Sequence, residues 1–557
     1  MKHFSTRFIR ILLLSAIFLG GCTTAQQPQN NPQPTASVST PRPTSVAPSL
    51  WIEPAVPAAI QTAIQTQGGY NLADSQTSAN LVLQIQASNT PPPNAIGQVQ
   101  WVYALEAPFP TVTDGITARE LQSFWQGNGS ADDPFDTLLV SSETRAVFDA
   151  LWGTSSQTAV ETVQASQFAG NDFSAPRTWA IVPFDQIAPR WKVIKIDGLS
   201  PLDKPLDTAS YALKANFVLS AVSADAGLNQ TGKMILSAVP ATNRDESKMT
   251  VLMMTGTTAL VRAIAYKMEI KGLDYPIEKV KDWFKNADLI HVSNEVAFDP
   301  DCPFPDFDQQ GLRFCSSPRY IQTLQDLGVN VVELTGNHED DYGAQYLDSS
   351  IDTYQSLGMH TFGGGKTPAE AQAPIKLEAN GNKIAFIGCN PNGPVTDWAD
   401  EKQAGSAKCD YAYYDQQISD LKAQGYVVVA TFQQDEVYTY LYGDELASVF
   451  RDAAGAGADI VSGSEAHYAM GFQFEGNSII HYGLGNFLFD QMTYQGVGDD
   501  IRREFIDRHI IYNGKYINTE LLTAYLVDWA QPNPMTDQQR TSFLTDIFNG
   551  SMWSEKK

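Results

Sequence analysis

The chain has 557 residues, 43% of them hydrophobic and 18% charged, with a formal charge of −25. That balance is ordinary for globular protein and excludes wholesale disorder, and the length leaves room for two large domains or about three of usual size. So large an excess of acids repels nucleic acid and anionic lipid alike, and no nucleic-acid partner is expected.

Residues 1–21 read as a secretory signal: Lys2, Arg7 and Arg10 precede an apolar run, Ile11 to Leu19, that is too short to span a bilayer comfortably. Leu19-Gly20-Gly21-Cys22 resembles the bacterial lipobox, which implies cleavage before Cys22 and lipidation of its sulfur. The alternative is an ordinary signal peptide that happens to contain a cysteine. Cleavage removes three cationic side chains and takes the formal charge from −25 to −28, so the lipid is the expected membrane contact, holding the protein outside the cytoplasm. Residues 22–49 are rich in Pro, Ser, Thr and Gln and nearly free of large apolar groups, as befits a disordered tether.

Residues 50–245 form a first α/β block. Leu81, Leu83 and Ile85 alternate as in a half-buried strand, Trp101–Thr111, Trp179–Phe184 and Trp191–Gly198 read as further strands, and Thr144–Trp152 as a helix. The alternation loosely resembles the lobes of periplasmic solute-binding proteins, without a diagnostic ligand motif. A plain accessory domain fits the pattern equally well.

The second block, residues 248–535, is followed by a C-terminal helix and tail, 536–557. Val251–Thr255 is a short apolar strand ending in Gly256-Thr257. A helix-like stretch from Pro276 to Lys285 leads into Asp288–Val292 and then Ser293-Asn294-Glu295. Pro318–Leu327 leads into Val329–Leu334 and then Gly336-Asn337-His338-Glu339-Asp340-Asp341. Tyr414–Ala423 precedes Tyr426–Ala430, which runs on to Gln433-Gln434-Asp435. Glu445–Ala454 precedes Ala458–Ser462, followed by Gly463-Ser464-Glu465-Ala466-His467. Helix then strand, four times over, predicts a largely parallel sheet core, and polar clusters at the strands' C-terminal ends predict a shared cleft. Outside the cytoplasm an even set of thiols pairs, and neighbours in sequence are the simplest pairs: Cys302 with Cys315, and Cys389 with Cys409. The rival is a cysteine-ligated metal, although no Cys-x-x-Cys occurs.

Three of these motifs carry a family resemblance. Gly336-Asn337-His338-Glu339 resembles the Gly-Asn-His-Asp/Glu of calcineurin-like metallophosphoesterases. Asn337, His338, Asp341, Tyr342 and Gly343 match the Asn-His-x-x-Asp-Tyr-Gly of their CapA branch, the poly-gamma-glutamate capsule biosynthesis proteins. Tyr482 to Asp490 closely matches Tyr-x-Leu-Gly-Asn-Phe-x-Phe-Asp. The resemblance covers about 248–500 and implies an α/β/β/α sandwich with a metal cleft at its strand ends. It also implies a role in making, exporting or anchoring an envelope polymer such as capsule or poly-gamma-glutamate, with that polymer or its machinery as partner.

The departures bear on chemistry. Thr257 stands where the family has a carboxylate, Asn294-Glu295 blurs its Asn-x-Glu, glutamines at 433 and 434 replace a histidine, and Glu465 replaces the first histidine of Gly-x-His-x-His. Neutral Thr and Gln do not offset two closely spaced dications. The ligand set that remains is Asn294, Glu295, Asn337, His338, Glu465 and His467, enough for one divalent ion such as Mn, Zn or Fe. An active enzyme would be a metal-dependent hydrolase of phosphoester or amide bonds, with His338 and His467 as the catalytic histidines. The competing readings are a scaffold that has lost the metal and a tethered solute binder. Glu339 and Asp340 are expected to cap the helix beginning at Gly343, His291 to be a satisfied core residue, and Asn486 and Asp490 to fix a strand turn.

Overall fold

The computed structural model describes residues 47–164, 167–168, 173–551 and 553. The signal, Cys22 and nearly all of the tether lie outside them. Pro48 to Lys557 forms one compact unit.

In the first block a ten-stranded mixed sheet is organised by one 14-residue strand, Ala95–Pro108. Its first half pairs antiparallel with Lys214–Ala221, and its second half with Thr178–Pro183 and Trp191–Ile196. The expected helix runs from Ser142 to Trp152, where the Ser141 hydroxyl accepts from the Thr144 amide.

The second block stacks two sheets. In the first, β1 (Met249–Thr258), β2 (Leu289–Asn294), β3 (Val331–Glu333) and β4 (His360–Phe362) run parallel. The second contains β5 (Ile375–Ala379), β6 (Asn382–Cys389), β7 (Val427–Gln433), β8 (Ile460–Ser464), β9 (Phe472–Glu475) and β10 (Ser478–His481), in the order β5-β6-β7-β8-β10-β9. The chain then returns to the first sheet with β11 (Asn486–Leu488), β12 (Arg503–Tyr512), β13 (Lys515–Val527) and β14 (Gln531–Pro534), giving β4-β3-β2-β1-β12-β13-β14, with β11 against the end of β1.

Strand periodicity of two decides which residues meet. Leu252, Met254, Val331 and Phe362 face Phe386, Val427, Val429 and Ile460 between the sheets. The alternate residues Val251, Met253, Val292 and Val332 pack under α1 (Arg262–Lys271), α2 (Ile321–Leu327) and α3 (Ala344–Ser356). On the far side Ala385, Val428, Ala430 and Val461 pack under α4 (Tyr411–Ala423) and α5 (Asp444–Ala456). The result is the α/β/β/α sandwich, closed by a last helix, α6 (Asp537–Gly550), that starts with a Thr536–Gln539 capping box.

Two expectations need correction. Between Pro276 and Lys285 only Lys281–Phe284 is helical. Ahead of it the chain closes tight turns, Ile277 N donating to Asp274 O and Val280 N to Ile277 O, so the stretch never settles into an α-helical ladder. Nor do Glu339 and Asp340 cap α3, whose N-terminus at Gly343 receives no side-chain cap. Both sulfur pairs form as sequence neighbours, Cys302–Cys315 with Cα atoms 5.8 Å apart and Cys389–Cys409 with 5.1 Å.

Candidate metal centre

The cleft lies where the C-terminal ends of β1, β2 and β3 meet those of β7 and β8. Two close backbone approaches build it. A Cβ on Gly256 would sit 1.9 Å from the Gly485 carbonyl oxygen, and one on Gly336 would sit 2.6 Å from Cα of Glu295, so both positions need glycine. The second approach lays the Asn337-His338 loop over the end of β2, with Val296 and His338 bridged in parallel.

Glu295, Glu465 and His467 converge there, each offering a ligand atom within 4.8 Å of the others, and all three are buried. Glu465 and His467 both take positive φ, 70° and 42°. Non-glycine residues hold that conformation only where the surroundings enforce it.

Neighbouring side chains supply that enforcement. Glu465 Oε1 accepts from Asn337 Nδ2 at 3.1 Å and its Oε2 from Gln433 Nε2 at 2.7 Å. His467 Nδ1 lies 2.8 Å from Asn486 Oδ1, and its ring stacks on Phe489 at 4.3 Å. Because the Asn486 amide nitrogen is committed to His467 O and Gln491 Oε1, its oxygen accepts the Nδ1 proton. Nε2 then faces Glu465, 3.7 Å from its Oε1.

Among the described residues neither carboxylate oxygen of Glu295 has a hydrogen-bond partner, and neither does Oδ1 of Asn337. Burial, and then the charge of Glu339, push the Glu295 carboxyl up to about 7 even though Glu465, Gln433 and Thr257 work against the rise. Burial and the charge of Glu295 raise Glu465 well above its ordinary range. Two desolvated carboxyls side by side, an amide oxygen without a donor among the described residues and a histidine nitrogen facing them form a donor set that fits one hard or borderline cation.

The other expected ligands lie apart from this group. Asn294 turns its amide nitrogen to the Val296 carbonyl, 2.8 Å, and the Tyr354 hydroxyl, 3.0 Å, which fastens β2 to α3. His338 gives its Nδ1 to Asp341 at 2.9 Å, and its ring meets Phe314 at 4.6 Å. It is within electrostatic reach of Glu465 and Asp397 without joining the three-residue group. Thr257 sits in the floor with its hydroxyl unpaired. His291 is half satisfied, with Nε2 on Glu333 at 3.0 Å and Nδ1 unpartnered.

Three residues of the site carry roles that sequence reading missed. Gln433, read only as a lost histidine, holds Glu465. Asn486, read as a turn residue, orients His467; the signal was its place in Leu484-Gly-Asn-Phe487. Asp397 had no motif at all, yet it lies beside Glu339 and Asp340. Burial raises all three, and the charges of Asp340 and Asp397 add to the rise at Glu339, those of Asp397 and Asp341 at Asp340, and that of Asp341 at Asp397, taking Asp340 and Asp397 to about 7.

Fold and cleft together define a metallophosphoesterase-like protein. Residues 251–491 match the family described as bacterial capsule synthesis protein PGA_cap. The capsule biosynthesis protein CapA of Bacillus anthracis is 23% identical over 331 residues, 58% of this chain and 79% of that protein. The PGA biosynthesis protein CapA of Bacillus subtilis (strain 168) is 24% identical over 239 residues, 42% of this chain and 62% of that protein. A solved 5'-nucleotidase precursor from Thermus thermophilus overlaps at 13% identity and a TM-score of 0.29, covering 56% of this chain and 60% of its own, too loosely to support an argument. Over residues 251–491, less than half of its length, the chain is similar to the CapA proteins of capsule and PGA biosynthesis.

Proposed function

We propose that this protein works outside the cytoplasm, held to the membrane by a lipid on Cys22, in making, exporting or anchoring an envelope polymer of the capsule or poly-gamma-glutamate type. Its cleft holds one divalent cation through Glu295, Glu465 and His467, with the Asn337 oxygen in reserve. The observation that carries the reading is the pair of buried, adjacent carboxyls that, among the described residues, no Lys or Arg reaches and that His467 faces. When bound, such an ion polarises a phosphoester or amide oxygen. Asn337 and Gln433 keep Glu465 aimed inward, and Asn486 fixes the His467 ring. Asp341 accepts the Nδ1 proton of His338, leaving Nε2 of that ring to take or give a proton at the cleft edge.

Thr257 in the floor, Gln433 at the end of β7 and Gln434 just past it favour a second reading, a binding or scaffold protein without turnover. Metal content separates the two. Roughly one Mn, Zn or Fe per chain is expected by mass spectrometry, retained in His338→Ala and lost in Glu465→Gln. A chain with negligible metal, or with two ions, would leave the one-ion cleft untenable. Lipid anchoring predicts that Cys22→Ser moves the protein from the membrane fraction to the soluble one; unchanged fractionation would count against it.

A further inference from the structure

Arg262 opens α1 with two local costs. Its φ is 46°, a left-handed value that a residue with a Cβ takes only where its surroundings impose it. Its Nε–H is buried and, among the described residues, has no acceptor. Capping requires neither, because the Asp490 carboxylate reaches the helix directly through the Ala263 amide at 2.9 Å. The ion pair with Asp490 accounts for Nη2 of the guanidinium and not for where the rest of that group lies.

The guanidinium carbon sits over two aromatic rings, 4.8 Å from the centre of Phe314 and 5.0 Å from that of Phe489, within the range of attraction between a cation and a ring face. Both phenyl groups are buried in a small cluster of their own with Ala259, Val261 and Val296. Each ring carries a cleft histidine. Phe314 meets the His338 ring edge-on at 4.6 Å, and Phe489 stacks on His467 at 4.3 Å. Phe314 is tied to His338 a second time, since its amide donates at 2.7 Å to the same Asp341 oxygen that lies 2.9 Å from His338 Nδ1. A continuous line of contacts therefore runs from His338 through Phe314, Arg262 and Phe489 to His467, joining the loop after β3 to the loop after β8.

We propose that Arg262 is a positioning residue for both cleft histidines: anchored by Asp490, its guanidinium spaces Phe314 from Phe489 and so sets the His338 and His467 rings together. A lysine in its place still pairs with Asp490, but a compact ammonium does not stack on aromatic faces as a flat, weakly hydrated guanidinium does. The consequence for a bound cation rests on the one-ion reading of the cleft, whereas the setting of the two rings does not.

The test uses the purified full chain with isotope-labelled histidine, as wild type, Arg262→Lys and Arg262→Met, first stripped of metal and then titrated with zinc. His338→Gln and His467→Gln identify the two ring signals by NMR. In the stripped Arg262 variants both signals are expected to move, while those of His291, His481 and His509, buried on β2, β10 and β12, stay where they are. Zinc should then bind about tenfold more weakly, the usual loss when a group supporting a ligand is changed. Because Arg262→Lys keeps a cation for Asp490, it stays informative where Arg262→Met fails to fold. Movement of one cleft histidine alone, of neither, or of the three buried histidines along with them would overturn the assignment, and so would a zinc affinity equal to that of the wild type. A wild type that takes up no zinc would sink the one-ion reading instead, and the ring signals would still decide the role of Arg262.

Discussion

His467 would serve the proposed cation through Nε2, and Asn486 sets the ring for that by accepting the Nδ1 proton while its own amide nitrogen is held elsewhere. The positive φ of His467 belongs to the same arrangement, since the ring reaches Asn486 and Phe489 together only from that backbone. Far from the cleft, Glu106 poses the opposite problem. It lies fully buried in the long strand of the first block, with one oxygen 3.4 Å from the Ala188 amide and the other unpartnered, and burial raises it well above the ordinary carboxyl range. A carboxyl raised on folding gives stability that is complete below its unfolded value and is lost as pH rises toward the folded one. Glu106→Gln is therefore expected to melt above the wild type at pH 8 and to lose that advantage at pH 5. An equal difference at both pH values in thermal melts would show that Glu106 is not held neutral.

At the scale of elements, the link between β11 and α1 makes its own prediction. Asp490, just past β11, accepts from the Ala263 amide at 2.9 Å and pairs with Arg262, so it supplies α1 with the cap that Val261 does not provide. The pair is largely buried, with the Asp490 side chain 6% exposed. Removing one partner of such a pair strands the other, and Asp490→Ala should cost about 3–5 kcal/mol in urea unfolding. A loss below about 1 kcal/mol would mean that Arg262 finds another acceptor. This contact also marks where sequence reading stops. Periodicity exposed the parallel strands because each alternates between two apolar layers; the Asn-His motif exposed the cleft because it follows the end of β3, and the Gly-Asn-Phe motif because it opens β11 beside the end of β1. Neither signal reports which side chain 228 residues away will face Asp490, nor that Glu339 and Asp340 are buried beside Asp397 rather than set on a helix end. Those facts depend on how separate crossovers stack, and a local pattern carries no record of it.

At the scale of the whole molecule, the first block and the sandwich are joined through apolar packing and polar ties alike. Phe109 stands edge-on to Phe472 at 5.5 Å, to Phe474 at 5.0 Å and to Phe548 of α6 at 6.2 Å. Arg540 of α6 grips Asp114 with two nitrogens, at 2.6 and 2.9 Å, Lys192 joins the same carboxylate at 2.7 Å, and Asn518 of β13 donates to the Trp191 carbonyl at 2.7 Å. Although burial opposes it, Arg540 and Lys192 hold the Asp114 carboxyl well below its ordinary range. A carboxyl lowered on folding stabilises above its unfolded value and ceases to do so as pH falls through the folded one, so the Asp114 contribution is lost only in strong acid. Burial lowers the Lys192 ammonium to about 8, and its contact is lost as pH rises past that value. Phe109 is the apolar centre of the junction, 2% exposed, and belongs to the same cluster as the inter-sheet core. Truncating it removes packing from two sides at once. Phe109→Ala should therefore lower stability by about 3–5 kcal/mol. The wild type should unfold in a single calorimetric transition, because the block that would otherwise melt alone shares this core. Two resolved transitions in the wild type, or a Phe109→Ala variant as stable as its parent, would mean that the blocks only touch and that α6 is not the clasp between them.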